Sequence, residues 1–215
     1  VQKPVAERWQ QVTGHYLTEA YGLTETSPGA CCVPLGAAWD GTVGLPLPST
    51  GVSIRDEDFN ELPVWTGAGD IEKHTGELCV RGPQVMKGYW NNPVETANVL
   101  RAGWLKTGDI SHVDELGRVT ITDRKKDMIL VSGFNVYPTE VESVVAAHPG
   151  VLECAVVAVP DEKSGEAVKV VIVRKDPNLT KEDGIEHCRA QLTGYKLPRH
   201  VEFRDVLPKT PIGKI

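Results

Sequence analysis

Tyr21-Gly22-Leu23-Thr24-Glu25 gathers an aromatic ring, a hydroxyl and a carboxylate around one glycine. A tyrosine ring can cover a purine face, a threonine hydroxyl can donate to a phosphate oxygen, and a glutamate suits Mg²⁺, which favours carboxylate and phosphate oxygens. Further along, Thr107-Gly108-Asp109 offers an acceptor-only carboxylate that can take two hydrogen bonds from adjacent hydroxyls of a ribose. Arg124 follows Asp109 by fifteen residues, and its planar fork suits ribose hydroxyls or phosphate. Lys214 stands behind Pro208-Lys209-Thr210-Pro211-Ile212-Gly213; an ammonium there can stabilise negative charge developing between a carboxylate and a phosphate. Each segment alone fits an ordinary turn, surface charge or solvated tail equally well. Together, in this order, they describe a nucleotide site.

These side chains need a frame. Val5, Ala6, Trp9 and Val12 have helical spacing after Pro4, which predicts a short amphipathic helix over 4–13, and residues 15–20 read as a strand entering the Gly22 turn. Prolines at 34, 46 and 48 and glycines at 36, 41, 44 and 51 break residues 33–53 into loops and short strands. An acidic turn is expected over 54–60, a loop over 66–76 and strands over 77–81 and 117–122, so residues 40–125 read as a small β-rich unit. After Asp127 the pattern becomes α+β. Strands are expected over 128–131, 151–159, 166–174 and 201–204, and helices over 138–148 and 180–192. Pro138 with Glu140 and Glu142 suits a helix start. Thr180 is a candidate N-cap, and Gly184 inside that helix should cost about 1 kcal/mol relative to Ala.

Composition narrows the class. At 215 residues the chain has room for one large or two modest domains, and its 40% hydrophobic and 24% charged residues are ordinary for a globular protein. A net charge of −6 without a basic run argues against a nucleic-acid surface. The cysteines at 31, 32, 79, 154 and 188 form no CxxC pair and no zinc spacing, which fits reduced thiols in a cytosol. Apolar runs such as Ala155 to Val159 fall far short of the roughly 18 residues that span a bilayer. The opening Val1 and the closing Gly213-Lys214-Ile215 read as those of a piece excised from a longer protein.

Taken jointly, the order and spacing of these segments resemble the adenylate-forming superfamily of acyl-CoA synthetases, peptide-synthetase adenylation domains and beetle luciferases. Gly76-Glu77-Leu78, Gly82, Gly88-Tyr89-Trp90, Pro93, Thr96 and the stretch from Ser132 to Glu142 match as well. Lys87-Gly88-Tyr89-Trp90 and Asp127 through Pro138 look most like bacterial long-chain fatty acid CoA ligases. The resemblance implies a mixed α/β fold, with 1–125 the β-rich, barrel-like end of a large adenylate-binding domain and 126–215 a small α+β mobile lid. It also implies a cytoplasmic enzyme using ATP, Mg²⁺ and CoA, in which a fatty acid carboxylate attacks the α-phosphate of ATP and the CoA thiol then displaces AMP. A fatty acid substrate further implies peripheral contact with the inner face of the membrane; oligomeric state is not legible.

Carried over by position, Tyr21 and Ile121 border the adenine, Gly22 belongs to the same cofactor-binding set, Thr24 borders the phosphate, and Asp109 and Arg124 the ribose. Glu25 holds Mg²⁺, Lys214 serves the adenylation step, Lys126 is the hinge and Gly133 closes against the pantetheine arm of CoA. One family element is missing: the Ser/Thr/Gly-rich phosphate loop belongs upstream of Tyr21, and the P-loop pattern GxxxxGK[ST] is absent too, so this piece by itself is expected to be inactive. The open alternatives are a ligase for another carboxylic acid, an adenylation domain that loads a carrier protein, and a noncatalytic nucleotide-sensing or interaction module.

Overall fold

Apolar residues alternating along short strands build the core of the first half of the chain. A computed structural model describes residues 1 and 3–210, and its contacts divide the chain into two units, Val1–Lys125 and Lys126–Ile215. In the first, helix α1 (Lys3–Thr13) precedes a three-stranded antiparallel sheet of β1 (Ala20–Tyr21), β2 (Cys31–Cys32) and β3 (Leu45–Pro46). Then come β4 (Gly51–Arg55), β5 (Gly76–Arg81), α2 (Pro93–Val99), β6 (Leu100–Arg101), β7 (Trp104–Val113) and β8 (Val119–Arg124), whose strands form an antiparallel sheet in the order β4-β5-β7-β6 with β8 also on β7. Ile54, Leu78, Val80 and Val119 pack with Ala30 and Cys31 into one buried cluster, while Glu77 and Cys79 alternate to the other face of β5.

Some local expectations shift here. The helix forms over α1, but Val5, Trp9 and Val12 remain exposed and only Ala6 is buried. The strand expected over 15–20 shrinks to β1, because its partner β2 is two residues long and ends before Pro34, which has no N–H to give a ladder. Helix α2 and the ten-residue β7 are additional to the elements expected from sequence. Asn92 caps α2 by accepting from the Glu95 amide at 3.2 Å, with Pro93 in the first turn.

The second unit holds β9 (Ile129–Val131), β10 (Phe134–Val136), α3 (Pro138–Ala146), β11 (Val151–Asp161), β12 (Gly165–Arg174), α4 (Lys181–Arg189) and β13 (His200–Arg204). The sheet runs β10-β9-β12-β11, antiparallel throughout, and β13 adds parallel to β12. Strand β12 is buried on both faces: Val168, Val170 and Ile172 pack in the cluster with Val141, Val145 and Cys188 of the helices, and Val171 and Val173 pack with Leu207. Pro138 opens α3, and Thr180 caps α4 through a reciprocal pair in which its hydroxyl accepts from the Asp183 amide while Asp183 accepts from the Thr180 amide. Among the described residues no helix is long and apolar enough to cross a membrane, and all five cysteines are free thiols.

Candidate active site

The aspartate of Thr107-Gly108-Asp109 owes its position to a bulge. Pairing between β5 and β7 passes from Glu77 opposite Ile110 to Cys79 opposite Lys106, so three residues of β7 face Leu78 alone. Gly108 absorbs the extra length at φ +75°, a conformation that costs residues with a Cβ. Thr107 Oγ1 donates to the Leu78 carbonyl at 2.8 Å and accepts from the Asp109 amide at 3.1 Å; Gly108 N–H donates to Glu77 Oε1 at 3.1 Å. What looked in sequence like a Gly-Asp turn is thus a break inside one long strand, aimed by three hydrogen bonds.

That bulge delivers Asp109, 6% exposed, to two partners. Its Oδ2 accepts the Tyr21 phenol at 2.5 Å, and Arg124, directly opposite on β8, brings Nε to 3.5 Å from Oδ1. Burial, and then the hydrogen bond to a negative acceptor, push the Tyr21 phenol well above its ordinary pKa and keep it a donor. The Arg124 side chain is 59% exposed, so its guanidinium is open to a ligand while the carboxylate is sheltered. Asp109 keeps lone-pair capacity beyond these two contacts. Tyr21 and Ile121 both flank the same buried cluster, one from β1 and one from β8.

Thr24 and Glu25 occupy a short 3₁₀ turn, Thr24–Thr26. A Cβ on Gly22 would lie 1.7 Å from the Pro28 carbonyl oxygen, so only glycine fits where the strand enters this turn. Buried Thr26 ties it down, accepting from the Leu23 amide at 2.9 Å and donating to the Pro28 carbonyl at 2.8 Å. Thr24 itself is exposed. Glu25 takes the Met86 amide on its carbonyl at 2.9 Å and the Tyr89 phenol on Oε1 at 2.6 Å, a bond that pushes the Tyr89 pKa up to about 12. With Glu77, Tyr89, Lys106, Thr107 and Gly108, Glu25 lines a cleft of about 240 Å³.

The donor set fits Mg²⁺ of the phosphate-bound kind. No group of three or more His, Cys, Asp or Glu among the described residues could hold a metal by itself, and Mg²⁺ is commonly held by one or two carboxylates together with substrate phosphates. Glu25 gives one oxygen to Tyr89 and lines the cleft, a placement that fits such a role.

The structure therefore brings Tyr21, Asp109 and Arg124 together, keeps Ile121 on β8 against the apolar cluster that Tyr21 also flanks, and sets Thr24 and Glu25 on the turn that follows β1. Lys126 lies in a short 3₁₀ turn, Lys125–Asp127, and Gly133 at an exposed hairpin tip of the second unit. Lys214 lies outside the described residues. Two residues carried no role from sequence: Tyr89, which engages Glu25 from 64 positions away, and Glu77, which engages Gly108 from 31. Their only signal was membership of the matching stretches around Gly76 and Gly88.

Two family models match the chain: AMP-binding enzyme over residues 1–90 and AMP-binding enzyme C-terminal domain over residues 140–214. The chain belongs to the AMP-binding enzymes. Its whole length is 55% identical to a long-chain-fatty-acid–CoA ligase of Escherichia coli O6:H1 and spans 37% of that ligase's length. Among solved structures, ATP-bound MatB of Rhodopseudomonas palustris superposes with a TM-score of 0.90 at 38% identity, over 99% of this chain and 41% of that one. The o-succinylbenzoate CoA synthetase of Bacillus subtilis in complex with its acyl-adenylate intermediate gives 0.85 at 30% identity, over 100% of this chain and 43% of that one.

Proposed function

We propose that the complete protein is a long-chain fatty acid CoA ligase, which joins a fatty acid to the AMP moiety of ATP and then passes the acyl group to CoA, releasing AMP. The observation that carries this reading is the triad of Tyr21, Asp109 and Arg124, a phenol, a sheltered carboxylate and an open guanidinium within hydrogen-bond or ion-pair reach on three different strands. A carboxylate that can accept two hydroxyls beside a cationic fork suits a ribose, and the flanking Tyr21 ring and Ile121 suit a purine. The ligase relative supports the choice of acid and of thiol acceptor.

In this reading Asp109 and Arg124 orient the ribose, and Thr24 donates to a phosphate oxygen. Glu25 holds Mg²⁺, which screens phosphate charge when bound. Lys214 steadies the charge that develops as the acid's oxygen bonds to the α-phosphorus and pyrophosphate leaves. Lys126 is the pivot that exchanges Lys214 for the Gly133 hairpin before the thiol attacks the acyl carbon and AMP departs. A substrate drawn from lipid would bring the protein into peripheral contact with a membrane.

The test is pyrophosphate exchange into ATP by the complete protein. Exchange that depends on a long-chain fatty acid, followed by CoA-dependent release of AMP, is the expected result. AMP binding without exchange for any fatty acid would overturn the reading in favour of a nucleotide sensor.

A further inference from the structure

Glu77 is a carboxylate 7% exposed, on the face of β5 turned away from the apolar cluster. A buried carboxylate is tolerated only when hydrogen-bonded and paired, and its two oxygens divide that work. Oε1 accepts the Gly108 N–H at 3.1 Å. Oε2 lies 3.2 Å from Lys125 Nζ and 3.8 Å from Lys106 Nζ. Lys125 is also held by Glu57 at 2.9 Å.

The placement is specific in one respect. Gly108 is the residue before Asp109, and Lys125 is the residue after Arg124. One carboxylate thus grips the chain beside each member of the pair assigned to the ribose, without a described contact to either side chain. Gly108 has φ +75° and no side chain, so the Glu77 acceptor is what anchors the bulge at its most pliable point. Lys125 directly follows β8 and begins the short turn that leads out of the first unit, so its ammonium anchors the chain where that strand ends.

We propose that Glu77 is a positioning residue for nucleotide binding: one oxygen fixes the Gly108 bulge and the other fixes Lys125, and together they set the spacing of Asp109 and Arg124. This rests on the assignment of those two residues to the ribose. It predicts that Glu77 acts on ATP affinity rather than on the chemical step, and that its two oxygens are separable. In Glu77→Gln an amide oxygen still accepts from Gly108, but Lys125 keeps only Glu57 as a carboxylate partner and loses its tie to β5; Glu77→Ala removes the contacts of both oxygens.

The experiment uses the complete protein and measures the KM for ATP and kcat in acid-dependent pyrophosphate exchange for E77A, E77Q, K125M and the E77Q/K125M double variant. Glu77→Ala should raise the KM for ATP about tenfold with kcat within about twofold, since loss of a buried acceptor weakens ground and transition states alike. Glu77→Gln should give a smaller rise equal to that of Lys125→Met, and the double variant should be no worse than either. A fall in kcat at unchanged KM would mean that Glu77 serves only the fold or the chemistry and would overturn the proposal, as would independent, multiplying effects of E77Q and K125M. If Glu77→Ala does not fold, the near-isosteric Gln variant and the lysine variant decide alone. Asp109→Ala separates the two layers: an unaltered ATP KM there removes the ribose assignment, whereas an effect there with normal Glu77 variants removes only this inference.

Discussion

Gly22 leaves the first turn almost no freedom, since an added Cβ would meet the Pro28 carbonyl oxygen at 1.7 Å. Gly22→Ala should therefore destabilise the protein by about 1–3 kcal/mol, the cost of overpacking, and a lowered thermal midpoint checks it. Lys214→Ala in the complete protein should cut adenylation by about 10²–10³ and leave thioester formation from supplied acyl-adenylate intact; equal loss in both half-reactions would refute the role given to Lys214. At this scale the sequence is legible where chemistry is carried by residue type: Tyr21, Asp109 and Arg124, singled out by type, lie within hydrogen-bond or ion-pair reach. It is opaque where a role is conferred by a distant partner. Glu77 and Tyr89 are ordinary acidic and aromatic residues until Gly108, Lys125 and Glu25 are folded against them.

Elements decide how those side chains are aimed. Gly108 reads as a turn residue, yet the backbone carries it through β7 as a bulge, because a strand can take one left-handed residue when both flanks pair well. Periodicity cannot see that, nor could it see α2, whose seven residues bury nothing. The second unit was more transparent, since its long β11 and β12 carry continuous apolar runs and its helices carry recognisable starts. The turn before β10 shows a similar economy: Ser132 and Gly133 both have positive φ, 52° and 87°, as a two-residue hairpin of the favoured twist requires. Gly184 is different. It lies within α4 with room for a methyl group, the nearest atom to an added Cβ being Ile172 Cδ1 at 3.8 Å. Gly184→Ala should therefore stabilise the chain by about 0.5–1 kcal/mol in urea unfolding, and a loss of stability would mean that the helix packs more tightly than this.

For the whole molecule, the proposed reaction requires one site to serve two steps. The chain divides between Lys125 and Lys126, where the resemblance puts the pivot. Lys126→Pro would fix φ at that point and should slow thioester formation more than adenylation; equal slowing would count against the pivot. Both steps depend on Asp109 and Arg124 holding the ribose of an adenylate in the proposed site. Calorimetric titration of the complete protein with a non-hydrolysable acyl-adenylate analogue measures that hold. One equivalent should bind, and Asp109→Ala should weaken binding by at least about tenfold through loss of charge-assisted hydrogen bonds. An Asp109→Ala variant that binds the analogue as tightly as the parent protein would contradict the account.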